Sequence, residues 1–174
     1  MFLIDCDDQF LLDHLVALAS QKNLRLTPKK SNNYFSKLFV KTTNSNIEIA
    51  HNEKKYKISK PVKIDKFFTA ITELLSKFNY KFENSFYFPL QQVFEYKNKS
   101  VRLGKIHHDI LSSLFLNYQN GVNKFELYKF IWPQDKDVSI NKLETHITNL
   151  KNQLQLKVAF RINISSNSGQ LKLI

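Results

Sequence analysis

Between Ser139 and Leu154 the chain gathers side chains that can read a hydrogen-bonding surface: Glu144, Thr145, Thr148, Asn149, Lys151 and Asn152. They fall largely outside a stripe of Leu143, Ile147, Leu150 and Leu154, whose spacing is that of one buried helix face. In a major groove an Asn amide pairs with adenine through two hydrogen bonds, and a Glu carboxylate accepts from cytosine. Ahead of this helix, Asn120-Gly121-Val122-Asn123 reads as a turn and Lys124–Trp132 as a short helix. Pro133 closes that helix, because its ring and missing N–H stop helical hydrogen bonding. A short helix, a tight connection and a second helix with one polar face are the parts of a helix-turn-helix. They predict sequence-specific binding to double-stranded DNA.

The same residues carry a resemblance. Gly121-Val122, Leu127, Ile131-Trp132 and the run from Glu144-Thr145-His146-Ile147 to Leu154 resemble the effector domain of OmpR/PhoB-type response regulators. The resemblance implies a winged helix: a small N-terminal sheet, three helices and a C-terminal hairpin wing. It puts Glu144, Thr148 and Asn149 at or beside base-reading positions. Asn141, His146 and Lys151 fall at its phosphate-contacting positions, and Lys142 and Thr145 are further backbone-contact candidates. The family carries arginines where Thr148 and Asn149 stand, and their loss removes cations that phosphates and guanines favour. Pro133–Val138 falls where family members contact RNA polymerase, and it is short here.

The elements around this pair follow from pattern. Tyr80–Pro89 is aromatic-rich and reads as a packed linker or first strand. Val93–Tyr96 and Ser100–Leu103 flank a hairpin turn at Lys97-Asn98-Lys99, and Ile106–Tyr118 reads as a helix. Ala159–Ile164 and Leu171–Ile174 alternate as two strands around a polar turn, Ser165–Gly169. This end resembles the wing, from which Arg161 and Lys172 would reach phosphates or a minor groove. His107-His108 suggests a metal pair, but adjacent helical residues point about 100° apart, and no other His or Cys is close in sequence. No metal site and no cofactor are expected.

Residues 1–79 read as a separate α/β domain, followed by an α+β winged helix over 80–174. An apolar run at residues 2–5 leads to an amphipathic helix, Gln9–Lys22. Strand-like segments follow at Leu24–Thr27, Leu38–Thr42, Ile47–Ala50 and Tyr56–Ile58, and then a helix at Asp65–Phe78. Phe2-Leu3-Ile4-Asp5-Cys6-Asp7-Asp8 and Tyr56-Lys57-Ile58-Ser59-Lys60-Pro61 resemble the first and fifth strands of a receiver domain. The stretch is too short for all five receiver helices. A receiver is switched by phosphorylating an Asp at the end of its third strand, with magnesium held by neighbouring acids. Here no Asp occurs between Asp13 and Asp65, and the acceptor position falls near Lys41 or Thr42. A degenerate, shortened receiver that works without phosphate is therefore expected. Asp7 and Asp8 read as a solvated strand end or a helix cap. The broad apolar face of the second helix, with Phe67, Phe68 and Ile71, is expected to cover a second copy in a homodimer.

Composition sets the bounds. With 43% apolar residues, 15 Phe and only three Gly, the 174-residue chain can build real cores and is not disordered. The net charge of +11 suits a polyanionic partner, although the basic excess is spread over both halves. Cys6 is the only cysteine, which excludes an internal disulfide and suits a reducing cytosol. No leader and no membrane span are read from the sequence, so a bacterial cytoplasmic location on the nucleoid is expected. Paired carboxylates, a Cys–His couple and a phosphate loop are all missing, which leaves an enzyme the weakest reading. The leading reading is a DNA-binding transcriptional regulator. A protein-binding adaptor that keeps this fold without DNA affinity is the alternative.

Overall fold

The computed structural model describes residues 2–21, 26–28, 37–51 and 54–174. It forms two compact units, Met1–Phe78 and Asn79–Ile174. The first runs β1 (Phe2–Cys6), α1 (Gln9–Gln21), β2 (Leu26–Pro28), β3 (Lys37–Thr42), β4 (Asn46–His51), β5 (Lys54–Ser59) and α2 (Ile64–Ser76). Of the strand expected at Leu24–Thr27, Leu24 and Arg25 lie outside the described residues, as does Lys22 at the end of the first helix.

The five strands lie in the order β2-β1-β3-β4-β5. β1 is parallel to β2 and β3, whereas β3, β4 and β5 are antiparallel in turn. Connection length explains the switch. Only residues 43–45 separate β3 from β4 and only 52–53 separate β4 from β5, whereas a parallel pair needs a crossover of roughly a dozen residues or more. Alternation then sorts the faces. Leu38 and Val40 of β3 and Ile47, Ile49 and His51 of β4 are buried, whereas Phe39, Lys41 and Glu48 between them are exposed. Leu12, Leu15 and Ala19 of α1 and Phe67, Phe68, Ile71, Leu74 and Leu75 of α2 complete the core.

This corrects one expectation. Phe67, Phe68 and Ile71 are 0%, 3% and 0% exposed within the single chain, so they offer no area to a second copy. The helix is two-sided, with its aromatic side inside and Asp65, Lys66 and Glu73 outside.

His51 sits in this core against the rings of Phe2 and Phe78, at centroid distances of 6.4 and 4.5 Å. Burial, with help from the Lys54 charge, lowers its pKa to about 4. The unfolded chain would protonate this His near pH 6.5, so between about 6.5 and about 4 the unfolded state binds more protons. Stability should therefore fall as the pH drops through that window, by up to about 3 kcal/mol from this group. Calorimetric melts at pH 7, 6 and 5 should show the decline, and His51→Leu should flatten it.

The second unit runs β6 (Tyr80–Phe82), β7 (Ser85–Phe88), β8 (Val93–Tyr96), β9 (Lys99–Arg102), α3 (Lys105–Leu116), β10 (Val122–Asn123), α4 (Lys124–Ile131), α5 (Ile140–Val158), β11 (Ile164–Asn167) and β12 (Gln170–Leu173). β6 to β9 form an antiparallel meander, and β12 pairs with both β10 and β11 in a second sheet. Two of the hairpin tips, β8–β9 and β11–β12, are two-residue turns with positive φ at both residues. Lys97-Asn98 has φ of 46° and 62°, and Ser168-Gly169 has 48° and 77°. Such turns match the twist of the strands they join. At Gly121 the φ is +76° and a Cβ would stand 2.9 Å from the Leu171 carbonyl oxygen, so the close approach of β10 to β12 requires glycine there.

The wing differs from its sequence reading. Ala159–Asn163 is not a strand. Ala159 closes α5 in the left-handed region, with φ 58°, and the following alternation buries Phe160 and Ile162 against the unit's core. The ladder instead takes the polar Ser165–Asn167, because hydrogen bonding to β12 rather than side-chain burial defines it.

Under α3 the hydroxyl of the buried Tyr87 bonds to His108 Nδ1 and, at 2.8 Å, to Ser112 Oγ. Burial, foremost, pushes that hydroxyl far above its ordinary pKa, so it remains a neutral hydrogen-bonding group. Tyr80, Phe115 and Tyr87 stack beside it, at 4.9 and 5.5 Å. His108 is thus a core residue rather than a surface contact. Tyr87→Phe removes the buried hydroxyl's bonds to His108 and Ser112, and about 1–3 kcal/mol of stability should be lost in denaturant unfolding.

Candidate nucleic-acid interface

Two side-chain caps start the helix pair. Asn123 Oδ1 accepts from the N–H groups of Phe125 and Glu126, at 2.9 and 3.2 Å, and opens α4. Ser139 Oγ accepts from Lys142 N–H at 3.4 Å and opens α5. The intervening segment is fixed by Asp135. Its carboxylate accepts from the Tyr128 hydroxyl at 2.6 Å and from Lys142 Nζ at 2.9 Å, and its carbonyl accepts from Lys129 Nζ at 2.9 Å. The Tyr128 and Lys142 bonds hold the Asp135 carboxyl below its ordinary range, and the bond to Asp135 raises Lys142. Lys142 also lies 4.4 Å over the Trp132 ring.

The positions singled out from sequence separate into two groups. Asn141, Thr145, Thr148 and Asn149 are exposed along α5, and Arg161 and Lys172 are exposed beyond it. The others are tethered. Glu144 forms an ion pair with Lys124 of α4. Lys142 is held by Asp135, and Lys151 Nζ donates to the Ile164 carbonyl at 3.2 Å. His146 packs on Trp132 at 5.4 Å and faces His107 at 6.0 Å. Its pKa is lowered by burial, then by the neighbouring His107 and Lys142. The Thr145 hydroxyl turns back to the Asn141 carbonyl at 2.9 Å.

Arg161 does not lie on the hairpin as expected. It comes from the extended segment after α5 and lines an open groove with Asn152, Gln155 and Asn163. Sequence reasoning missed Lys124 and Asp135, whose roles depend on pairings across the helix connection. It placed Asn152 on the polar face of the helix without giving it a contact, and it left out Gln155. The exposure of both was readable from the helical wheel, on which Asn152 lies opposite the buried Leu stripe and Gln155 to one side of it. His107 bonds Gln153 Oε1 at 2.7 Å, so it braces α3 against α5. Among the described residues no cluster of three His, Cys, Asp or Glu side chains could hold a metal ion. No described helix is long and apolar enough to cross a membrane.

Among solved structures, the C-terminal domain of the nisin resistance regulator NsrR, a lantibiotic response regulator, is similar at 20% identity. It covers 53% of this chain and 93% of that one, with a TM-score of 0.42. The response regulator DrrB of Thermotoga maritima, an OmpR/PhoB homolog, is similar at 14% identity over 98% of this chain and 97% of that one, with a TM-score of 0.47. Comparison with curated proteins gave no match. Residues 98–169 match the family described as "Transcriptional regulatory protein, C terminal". The matched residues take in β9, α3, β10, α4, α5 and β11, and over them the chain is similar to the C-terminal domain of transcriptional regulatory proteins.

Proposed function

We propose that the chain binds double-stranded DNA sequence-specifically through α5 and regulates transcription without phosphorylation of its first unit. The observation that carries this reading is the bare polar line of Asn141, Thr145, Thr148, Asn149 and Asn152 on α5, opposite a fully buried apolar stripe. In this reading Thr148 and Asn149 meet base edges, with Glu144 restrained beside them by Lys124. Asn141, Lys142, Thr145, His146, Lys151, Arg161 and Lys172 flank the backbone. Among them Arg161 and Lys172 are cations with no partner among the described residues, so they carry most of the phosphate attraction.

Independence from phosphate is supported at the end of β3. Thr42 stands where the resemblance puts the acceptor, and its backbone N–H donates to both carboxylate oxygens of Asp7 at 2.9 Å. Its hydroxyl donates to Asp7 at 3.1 Å. Asp8 caps α1 instead, accepting from Leu11 N–H at 3.0 Å. The acids thus serve the fold. Because the aromatic side of α2 is internal, we propose that homodimeric binding arises on repeated half-sites of the DNA rather than through Phe67, Phe68 and Ile71.

Acetyl phosphate with magnesium should leave the intact mass of the full chain unchanged. A stoichiometric adduct within residues 1–78 would defeat phosphate independence. Asn149→Ala should cost roughly 1–3 kcal/mol on the best site and relax preference at one base pair. Arg161→Ala should weaken all sequences alike and flatten the salt dependence by about one phosphate contact. Unchanged binding in both folded variants would transfer α5 to a protein-binding role, the adaptor alternative.

A further inference from the structure

We infer that the α5 face reads A·T base pairs through the major groove, with Asn152 among the reading residues. This rests on the DNA-binding reading above and goes beyond it by naming the class of target.

Three ionic side chains of α5 that border the exposed line are engaged by the protein itself. Arg161, with no partner among the described residues, shares the groove beside Asn152 but comes from the segment after the helix and is left to the phosphates. Lys142 is on Asp135, Glu144 on Lys124, and Lys151 on the Ile164 carbonyl. What remains outward is uncharged: Asn141, Thr145, Thr148, Asn149 and Asn152. Guanine offers two acceptors to the major groove and is matched best by the cationic fork of Arg or by Lys. Cytosine offers a donor, matched by a free carboxylate. Neither type of group is available on this line. Adenine offers one acceptor and one donor, which a single Asn amide satisfies together, and thymine offers a methyl group that suits the methyl of Thr. A face of Asn and Thr therefore favours A·T pairs. To guanine it offers only single neutral donors in place of a bidentate cationic fork.

Geometry adds Asn152. At 100° per residue it lies almost diametrically opposite the centre of the Leu143–Leu150–Leu154 stripe, more so than Asn149. Asn152 is about one turn from Thr148, a rise of about 6 Å, which matches about two base-pair steps of roughly 3.4 Å. One straight line on the helix can thus address adjacent pairs.

The test is selection of the full-length chain on a random duplex pool at low salt, followed by base-analogue substitution in the enriched site. The expected motif has about three adjacent A·T pairs per half-site and requires no guanine. Replacing those pairs by inosine·cytosine keeps the A·T-like minor groove but presents a G·C-like major groove. About tenfold or more of the affinity should then be lost. Asn152→Ala should lower discrimination at one of these pairs by about tenfold, with the folded state checked by its unchanged melting profile. A motif that requires G·C pairs, or full binding retained on inosine·cytosine sites, overturns the inference while leaving DNA binding intact. Binding of all duplexes alike overturns sequence reading altogether. Failure to bind any duplex at low salt defeats the DNA-binding reading itself, and the inference falls with it.

Discussion

The second unit depends on α5 burying one apolar stripe completely. Leu143, Leu150, Leu154 and Val158 are each 0% exposed and Ile147 is 3% exposed. Removing five such side chains from water contributes on the order of 10 kcal/mol before entropy is set against it. That burial fixes the rotation of the helix about its axis. Once Leu150 faces inward, Asn152 and Thr145 must face outward, because residues on one helix are tied at 100° apart. The polar line is therefore a geometric consequence of core packing.

Electrostatics then refine what the helix presents. Lys142, Glu144 and Lys151 would each be free on an isolated helix. In the folded unit they reach Asp135, Lys124 and the Ile164 carbonyl. Partly exposed pairs of this kind contribute little to stability. Their effect is on availability, since a cation already on a carboxylate has little left to offer a phosphate. Of the chain's net charge of +11, only the unpaired cations around the interface can act on DNA. The same tethers brace the two helices, because Asp135 links Tyr128 of α4 to Lys142 of α5 through the segment between them.

The first unit shows how connection length decides topology. β1, β2 and β3 are parallel because a helix lies within the connection between β1 and β2. β4 and β5 reverse because two- and three-residue connections cannot carry a crossover. The strand order β2-β1-β3-β4-β5 is that of a doubly wound sheet of the flavodoxin type, but the directions of its second half are those of a meander.

Sequence by itself determined the elements whose evidence is local. The Leu143–Leu154 periodicity, the closure of α4 before Pro133, the Lys97-Asn98 hairpin tip and the missing Asp between Asp13 and Asp65 were all legible, because each depends on near neighbours or on composition. Most of the exposed line of α5 was legible for the same reason. What only the tertiary structure decided depends on residues far apart in the chain. The Lys124–Glu144 pair joins two helices, and Thr42 meets Asp7 across 35 positions. Phe67, Phe68 and Ile71 looked like surplus apolar area until a sheet face was found beneath α2. His107-His108 looked alike in sequence, yet one turns to Gln153 on α5 and the other inward to Tyr87. Periodicity specifies which side of an element is apolar. Which element covers that side, and which charge reaches which partner, is fixed only when the whole chain has closed around its cores.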